Sequence, residues 1–445
     1  RACGYPGYCN LRRGSGQALE RGRREMILLH GEVIESNVEQ KYLAGLYEEC
    51  VTTLAGKNPI STECVIAACD KLYQAAIQGA YDEIALPLLQ MANLTYERFQ
   101  GLARLFSREE LEYKCKMELG EWYEELPALK NGTLRRRYPL GVLFHIAAGN
   151  VDGLPAYSVI EGLLAGNINI LKLPTGDNGL SVRLLSELIR FEPRLKDYIY
   201  VFDVPSAETE TLRVFAELAD AVVVWGGDEA VAAARQLAGV NTKIIPWGHK
   251  LSFAYVTEQA DEEALYGLAR HICETNQLLC SSCQGIFLDT EERAVQERFG
   301  ERFFELLKRA NAELGKADIG MRGKNTLRLY TDSLEVSDER RVLQGDGVSA
   351  VIKEDSELEL SYLFRNVWIK RLPRQYIVEK IKCHKGHLQT CGLLCGSEEK
   401  AELADLLGTA GVVRITGSDM SRMIPGEAHD GTYPLREYSR IVEID

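Results

Sequence analysis

The sequence has no apolar run near the roughly 20 residues that a membrane-spanning helix needs. Ala85–Leu94 has the right composition but only about half that length. It also lacks an excess of positive charge. A net charge of −13 argues against nucleic acid or an anionic membrane surface as the main partner, while leaving room for a local basic pocket that takes an anionic cofactor. Its 12 cysteines form no compact framework and follow no signal peptide, which reads as reduced thiols in a cytoplasmic protein. There is no internal repeat and no low-complexity segment. The Gly-x-Gly-x-x-Gly fingerprint is missing as well, so an ordinary dinucleotide dehydrogenase has no support from motif.

What is present begins at Met26. The first 25 residues carry six Arg against two Glu and no periodicity, and are read as a leader foreign to the fold. Residues 26–130 are mainly helical in pattern. Tyr42, Leu43, Leu46, Tyr47, Cys50, Val51 and Leu54 fall at three- and four-residue spacings, a stripe that would cover a sheet. From residue 131 to 248, near-continuous apolar runs alternate with amphipathic ones. The runs 141–147, 168–173, 198–204, 221–225 and 242–246 predict strands of a parallel sheet buried on both faces. Such a unit is α/β, doubly wound and suited to a nucleotide. A second α/β region, 249–414, is expected to carry strands at 251–256, 285–288, 326–330, 350–353, 367–370 and 388–394. The end, 415–445, is read as a bridging and oligomerisation segment whose last strand pairs with another subunit or a neighbouring sheet.

Three features carry chemistry. Cys280 lies in Asn276–Gln277–Leu278–Leu279–Cys280–Ser281–Ser282–Cys283–Gln284, between a helical run and a short apolar strand. Most isolated cysteines are small buried hydrophobes. One at a helix-to-strand junction among small polar neighbours is exposed enough to react, with backbone N–H groups near enough to stabilise a thiolate. Lys172 ends a strand at the carboxyl edge of the expected sheet. Gly226–Gly227 end another strand and open a helix, where a phosphate can approach backbone N–H groups.

Together these stretches resemble the aldehyde dehydrogenase superfamily and, within it, the fatty acyl-CoA reductase family typified by LuxC, over residues 38–445. The resemblance rests on Pro139–Leu140–Gly141–Val142 with His145–Ile146–Ala147–Ala148–Gly149–Asn150–Val151, on Asn167 to Lys172, on Lys250 to Ala254, on Asn276 to Ser282, and on His429–Asp430–Gly431, with Leu388–Gln389–Thr390 as a lesser match. It implies a Rossmann-type nucleotide-binding domain, an α/β catalytic domain and a terminal oligomerisation segment. It implies Cys280 as the acylated nucleophile and Asn150 as an oxyanion donor beside the backbone N–H of Cys280. Lys172 would hold the adenosine ribose or its 2′-phosphate, and Gly226 and Gly227 the pyrophosphate side. The implied reaction is reduction of a medium- or long-chain acyl-CoA to the aldehyde. The implied assembly is a homo-oligomer, with an acyl-protein synthetase as a further partner.

Departures from that pattern sharpen the expectation. The superfamily's water-activating glutamate falls 34 residues before the nucleophile, and Pro246 stands there. That favours reduction of a thioester over oxidation to an acid. Three residues after Lys172, where NAD-preferring members often place a glutamate, stands Thr175, so NADPH is favoured over NADH. Cys283 replaces a common proline, which raises a Cys280–Cys283 regulatory disulfide, or a metal site completed by His384, His387 and Cys391, against simple packing. No metal is assigned. His145 and His249 are alternative proton donors, and His429–Asp430 a tie between the terminal segment and the catalytic domain. The rival functions are a nicotinamide-independent cysteine acyltransferase or thioesterase, and a redox or metal-binding scaffold on a dehydrogenase-like fold.

Overall fold

The computed structural model describes residues 26–35, 40–83, 86, 96–120, 125–147, 153–174, 177, 179–315, 319–334, 339–422 and 424–445. They form two compact units. One comprises the chain up to Gly248 together with Ile424–Asp445, and the other is His249–Met423.

The first unit is built on a seven-stranded sheet in the order Glu32–Glu35, Met26–Leu29, Ile199–Phe202, Ile168–Lys172, Val142–Ile146, Ala221–Trp225, Lys243–Trp247. The last five are parallel. Ile168–Lys172, Ile199–Phe202 and Ala221–Trp225 are buried at every residue, which is why their sequences read as unbroken apolar text rather than alternation. The chain adds strands outward on one side of Val142–Ile146 and then returns to its other side with Ala221–Trp225. The carboxyl ends of those two strands therefore flank the point where strand order reverses, the place where such sheets bind ligands.

Among the strands not foreseen are two that extend this sheet. Met26–Leu29 and Glu32–Glu35 form a hairpin on His30 and Gly31, both left-handed at φ 51° and 81°, and it caps the Ile199–Phe202 edge. The expected helical stripe is narrower than drawn: Leu43, Leu46 and Cys50 are buried, whereas Tyr47, Val51 and Leu54 face solvent.

The second unit holds another seven-stranded sheet, ordered Arg340–Gly345, Val348–Lys353, Asn366–Arg371, Cys283–Leu288, Leu251–Val256, Leu388–Leu394, Arg414–Thr416. All pairs are parallel except the first, a hairpin. The strand expected at 326–330 is instead part of a helix, Ile319–Leu334. Leu327 and Leu329 would share one face of a strand, but Leu329 is buried and Leu327 exposed, as helical geometry places them. The terminal segment begins at 424 rather than 415, because Arg414–Thr416 pairs with Leu388–Leu394. Its final strand, Ser439–Ile444, pairs antiparallel with Leu134–Pro139 of the same chain in a three-stranded sheet. Fully buried Leu435 and Tyr438 anchor it.

Gly285 lies in the strand that follows the Cys280 loop. A Cβ there would lie 1.9 Å from Cδ2 of Trp368 on the adjacent strand. Gly285→Ala is expected to destabilise the second unit by at least about 1–3 kcal/mol, because a rigid indole in a packed sheet cannot yield. An unchanged urea midpoint would contradict this.

Candidate active site

The loop bearing Cys280 emerges from the helix Glu262–Thr275. Asp261 starts that helix, its carboxylate accepting the Ala264 N–H at 2.7 Å. The helix ends at Asn276 in the left-handed conformation, and Gln277 continues it. Short contacts then fix the turn. The Leu278 N–H donates to Thr275 O at 3.0 Å, and the Ser282 N–H to Leu279 O at 2.9 Å. The Ser282 hydroxyl accepts the Leu279 N–H at 3.0 Å. The carbonyl of Cys280 accepts the Ser252 hydroxyl at 2.7 Å. At the far end the Cys283 N–H donates to Nε2 of His271 at 3.2 Å, which fixes that ring with its proton on Nδ1.

Cys280 itself is exposed, and of the other described cysteines only Cys383 is. Cys283 is the opposite. It is fully buried in the apolar core, its thiol donates to Gly285 O at 3.2 Å, and burial pushes its pKa up to about 12. Such a thiol stays protonated and aimed into the sheet, so the geometry favours packing over a reactive pair with Cys280. Burial likewise raises the thiols of Cys273 and Cys391. Among the described residues no three His, Cys, Asp or Glu side chains come together as a metal-binding group, so His384, His387 and Cys391 are not gathered around Cys283.

The first unit presents the nucleotide-type features. Lys172 ends its strand 4 % exposed, with Nζ donating to the Ser206 hydroxyl at 3.0 Å. Ser206, in the loop after Ile199–Phe202, was not foreseen; nothing local in the sequence links it to a residue 34 positions away. Gly226 follows Ala221–Trp225, and a Cβ on it would lie 2.9 Å from the Ala230 Cβ, so the turn is closed to side chains there. Gly227 precedes the ten-residue helix Asp228–Leu237 and faces open space. Asp177 is occupied locally, accepting the Gly179 N–H at 2.7 Å and the Ser181 hydroxyl at 2.5 Å. Asn150 and Thr175 lie outside the described residues.

His145 is not placed for proton donation to a substrate. It is fully buried in the Val142–Ile146 strand, and burial lowers its pKa to about 4. The Trp225 indole N–H donates to the Ser158 hydroxyl at 2.9 Å, and that hydroxyl meets Nδ1 of His145 at 2.7 Å. His145 Nε2–H then faces Oδ1 of Asn169 at 3.0 Å. One neutral tautomer satisfies every member of the chain. His249 lies in the second unit, its carbonyl 3.2 Å from Nδ1 of His387. His429 packs against Trp225 (tilted) and Trp247 (edge-on), at 5.1 Å and 4.9 Å between ring centroids. Both tryptophans and the terminal segment belong to the first unit, so His429 ties the segment within that unit. Trp247 adds a second tie, donating its indole N–H to the Tyr438 hydroxyl at 3.1 Å.

Two α/β units, the first with its strand order reversing beside Val142–Ile146 and the second with a cysteine loop before a central strand, define an aldehyde dehydrogenase-like fold. The NAD-dependent aldehyde dehydrogenase of Sinorhizobium meliloti superposes with a TM-score of 0.72 at 15% identity, over 95% of this chain and 94% of that one. The NAD-dependent benzaldehyde dehydrogenase of Corynebacterium glutamicum gives 0.67 at 14% identity, over 95% of each chain. Within that fold the chain belongs to the LuxC acyl-CoA reductase family, whose model matches residues 59–441. Relatives include the long-chain acyl-protein thioester reductases of Vibrio harveyi, 26% identical over 314 residues and 69% of this chain, and of Aliivibrio fischeri, 27% identical over 317 residues and 68% of it. The chain matches 65% and 64% of those relatives' lengths, a little under two thirds.

Two outcomes are expected from this arrangement. Iodoacetamide applied to the native protein should modify Cys280 and Cys383 and spare Cys283, and peroxide inactivation should be the same in Cys283→Ser. Peptide mapping that finds Cys283 alkylated as fast as Cys280 would contradict the packing. Second, His145 binds its proton less tightly in the folded protein than in the unfolded chain, whose histidine titrates near 6.5. Below 6.5 the unfolded chain gains a proton that the folded one refuses. Stability should therefore fall as pH drops from about 6.5 to about 4, by up to about 3 kcal/mol from this group. Urea midpoints across that range should flatten in His145→Gln; an identical slope would remove His145 as the cause.

Proposed function

We propose that the protein reduces a long-chain acyl thioester to the aldehyde through an acyl group carried on Cys280. One observation carries this reading: Cys280 is the exposed thiol of a loop whose backbone is tied to buried strands, while Cys283 beside it is buried and protonated. A thiolate attacks a thioester readily and leaves readily, so one residue serves both halves of the reaction.

In the first half the Cys280 sulfur attacks the thioester carbonyl. The carbon–sulfur bond to the donor breaks, and the donor departs as a thiol after taking a proton. Acyl-CoA is the donor we favour, and the Vibrio harveyi relative is named for an acyl-protein thioester. In the second half the acyl carbon gains a hydride, its bond to Cys280 breaks, and the sulfur keeps the electron pair. The aldehyde leaves and the thiolate is restored. Asn150 and the backbone N–H of Cys280 are the proposed donors to the developing oxyanion, worth about 3 kcal/mol each in such a role.

A nicotinamide, when bound, supplies the hydride. The first unit suits such a cofactor. The Gly226 turn admits no Cβ and adjoins open space at Gly227, beside the amino end of a ten-residue helix. Lys172 and Ser206 form a cationic and hydroxylic pair at the carboxyl end of Ile168–Lys172, two strands away from Ala221–Trp225 in the same sheet. We assign them to the adenosine ribose or its 2′-phosphate. NADPH is favoured over NADH, because Thr175 puts no carboxylate against a phosphate and Asp177 is engaged with Gly179 and Ser181. Pro246, exposed on Lys243–Trp247, supplies no base to activate water against the acyl-enzyme.

Incubation with tetradecanoyl-CoA and NADPH should consume the nicotinamide absorbance and yield the aldehyde. Without NADPH, mass spectrometry should find the acyl group on the peptide containing Cys280. Cys280→Ser should lower aldehyde formation by about 1,000-fold or more. Acyl-CoA turnover without loss of nicotinamide absorbance would indicate a transferase or thioesterase, and full activity in the serine variant would sink the proposal.

A further inference from the structure

Eight non-glycine residues among those described have left-handed backbones. Three of them, His30, Asp346 and Asp430, precede a glycine in a tight turn, where such geometry is ordinary. The other five fall in two segments without a glycine: Asn276 and Gln277 at φ 47° and 61°, and Leu363, Phe364 and Arg365 at 57°, 49° and 71°. A run of three bulky left-handed residues persists only where its surroundings hold it there.

The two segments hold each other. The Phe364 N–H donates to Asn276 O at 2.9 Å, and Arg365 Nε to Asn276 Oδ1 at 3.0 Å. The Asn366 N–H donates to Gln277 Oε1 at 3.0 Å. The amide nitrogen of Gln277 donates to Asn366 O at 3.2 Å and to Cys283 O at 3.0 Å. Gln277 is fully buried, so this one amide joins both ends of the Cys280 loop to Asn366, the residue that follows the left-handed segment. Arg365 is fully buried too, its guanidinium set among neutral oxygens of Asn276, Asn311 and Gly315.

From this geometry we infer that Gln277 is a positioning residue for the Cys280 thiol, bearing on Asn366, with the left-handed Leu363–Arg365 segment just before it held by Asn276. The inference rests on Cys280 as the acyl acceptor. Acyl transfer needs the sulfur aligned on the carbonyl within a few tenths of an ångström, whereas alkylation by a small reagent tolerates a wandering thiol. Releasing either end of the loop therefore harms the first far more than the second.

The test uses the full chain and two replacements of similar size. Gln277→Leu removes all four amide contacts, the fourth being to Gln284 O at 3.4 Å. Gln277→Glu keeps the acceptor for Asn366 but sets a carboxylate against three carbonyls. In single turnovers with tetradecanoyl-CoA, CoA release at saturation should fall about 10–100-fold in both. The concentration giving half-maximal rate should stay within about twofold, and alkylation of Cys280 by iodoacetamide within about threefold, so that the loss sits in the chemical step. Arg365→Lys, which keeps the charge but loses the fork, should fall between wild type and Gln277→Leu. Acylation at the wild-type rate in both Gln277 variants overturns the inference. So does a parallel fall of acylation, alkylation and thermal stability, the mark of a purely structural residue. No acyl adduct in the wild type overturns the functional reading itself, and this inference with it.

Discussion

The hydroxyl of Ser252 is the contact on which the candidate site turns. It donates to the carbonyl of Cys280 at 2.7 Å and accepts the Thr390 N–H at 3.1 Å. Ser252 is fully buried at the start of a central strand, where pairing on both sides shifts register. The irregularity leaves backbone groups that need partners, and one small hydroxyl serves an N–H of one strand and the carbonyl of Cys280. An exposed side chain thus sits on a backbone that is as fixed as the sheet beneath it. Catalytic loops generally combine access with constraint in this way.

The first unit solves a related problem with charge-free polar groups. Trp225, Ser158, His145, Asn169 and Asn167 form one buried chain of hydrogen bonds running beneath the carboxyl edge of the sheet. A single unmatched member would cost about 1–3 kcal/mol. Complete pairing therefore requires a neutral His145, which is the form that burial favours in any case. The result holds Trp225, and with it the turn at Gly226, in one arrangement. Trp225 in turn packs against His429, so the terminal segment rests on the same edge.

The legibility of the sequence follows from burial. Strands covered on both faces have no polar positions to confuse the reading, and Ala221–Trp225, Leu251–Val256 and Leu388–Leu394 fall where the text places them. Edge strands are different. Arg340–Gly345, at the edge of its sheet, has few buried residues; Leu134–Pro139, although paired on both sides in the small three-stranded sheet, carries Arg135, Arg136 and Arg137 and alternates between exposed and partly buried positions, so neither carries an apolar signal. The same contrast governs the site. Cys280 and Lys172 stand at element ends, where residue type and position together carry meaning. Ser252, Ser206 and Gln277 have partners 28, 34 and 89 residues away, and a serine or glutamine in isolation states nothing about that. Cys283 was ambiguous for a further reason: a cysteine two residues from the nucleophile's neighbour is reactive or inert according to burial alone, which spacing does not encode.

The left-handed segment bears on how such a site persists. Each non-glycine residue in that conformation costs about 1–2 kcal/mol. A domain's net stability is of order 5–15 kcal/mol, so a cost of this size at Leu363–Arg365 is not incidental. Strand pairing alone does not require it, since Asn366–Arg371 could be entered from an ordinary extended turn. The expenditure falls where Gln277 and Asn276 need a fixed counterpart, within a few residues of Cys280. On the proposed chemistry that location has a reason. An acyl group held on sulfur must wait for the hydride without meeting activated water, and with Pro246 in place of a base the protein has only geometry with which to separate the two fates. A loop free to sample many thiol orientations would lose that separation, whereas one braced against a rigid left-handed turn keeps it.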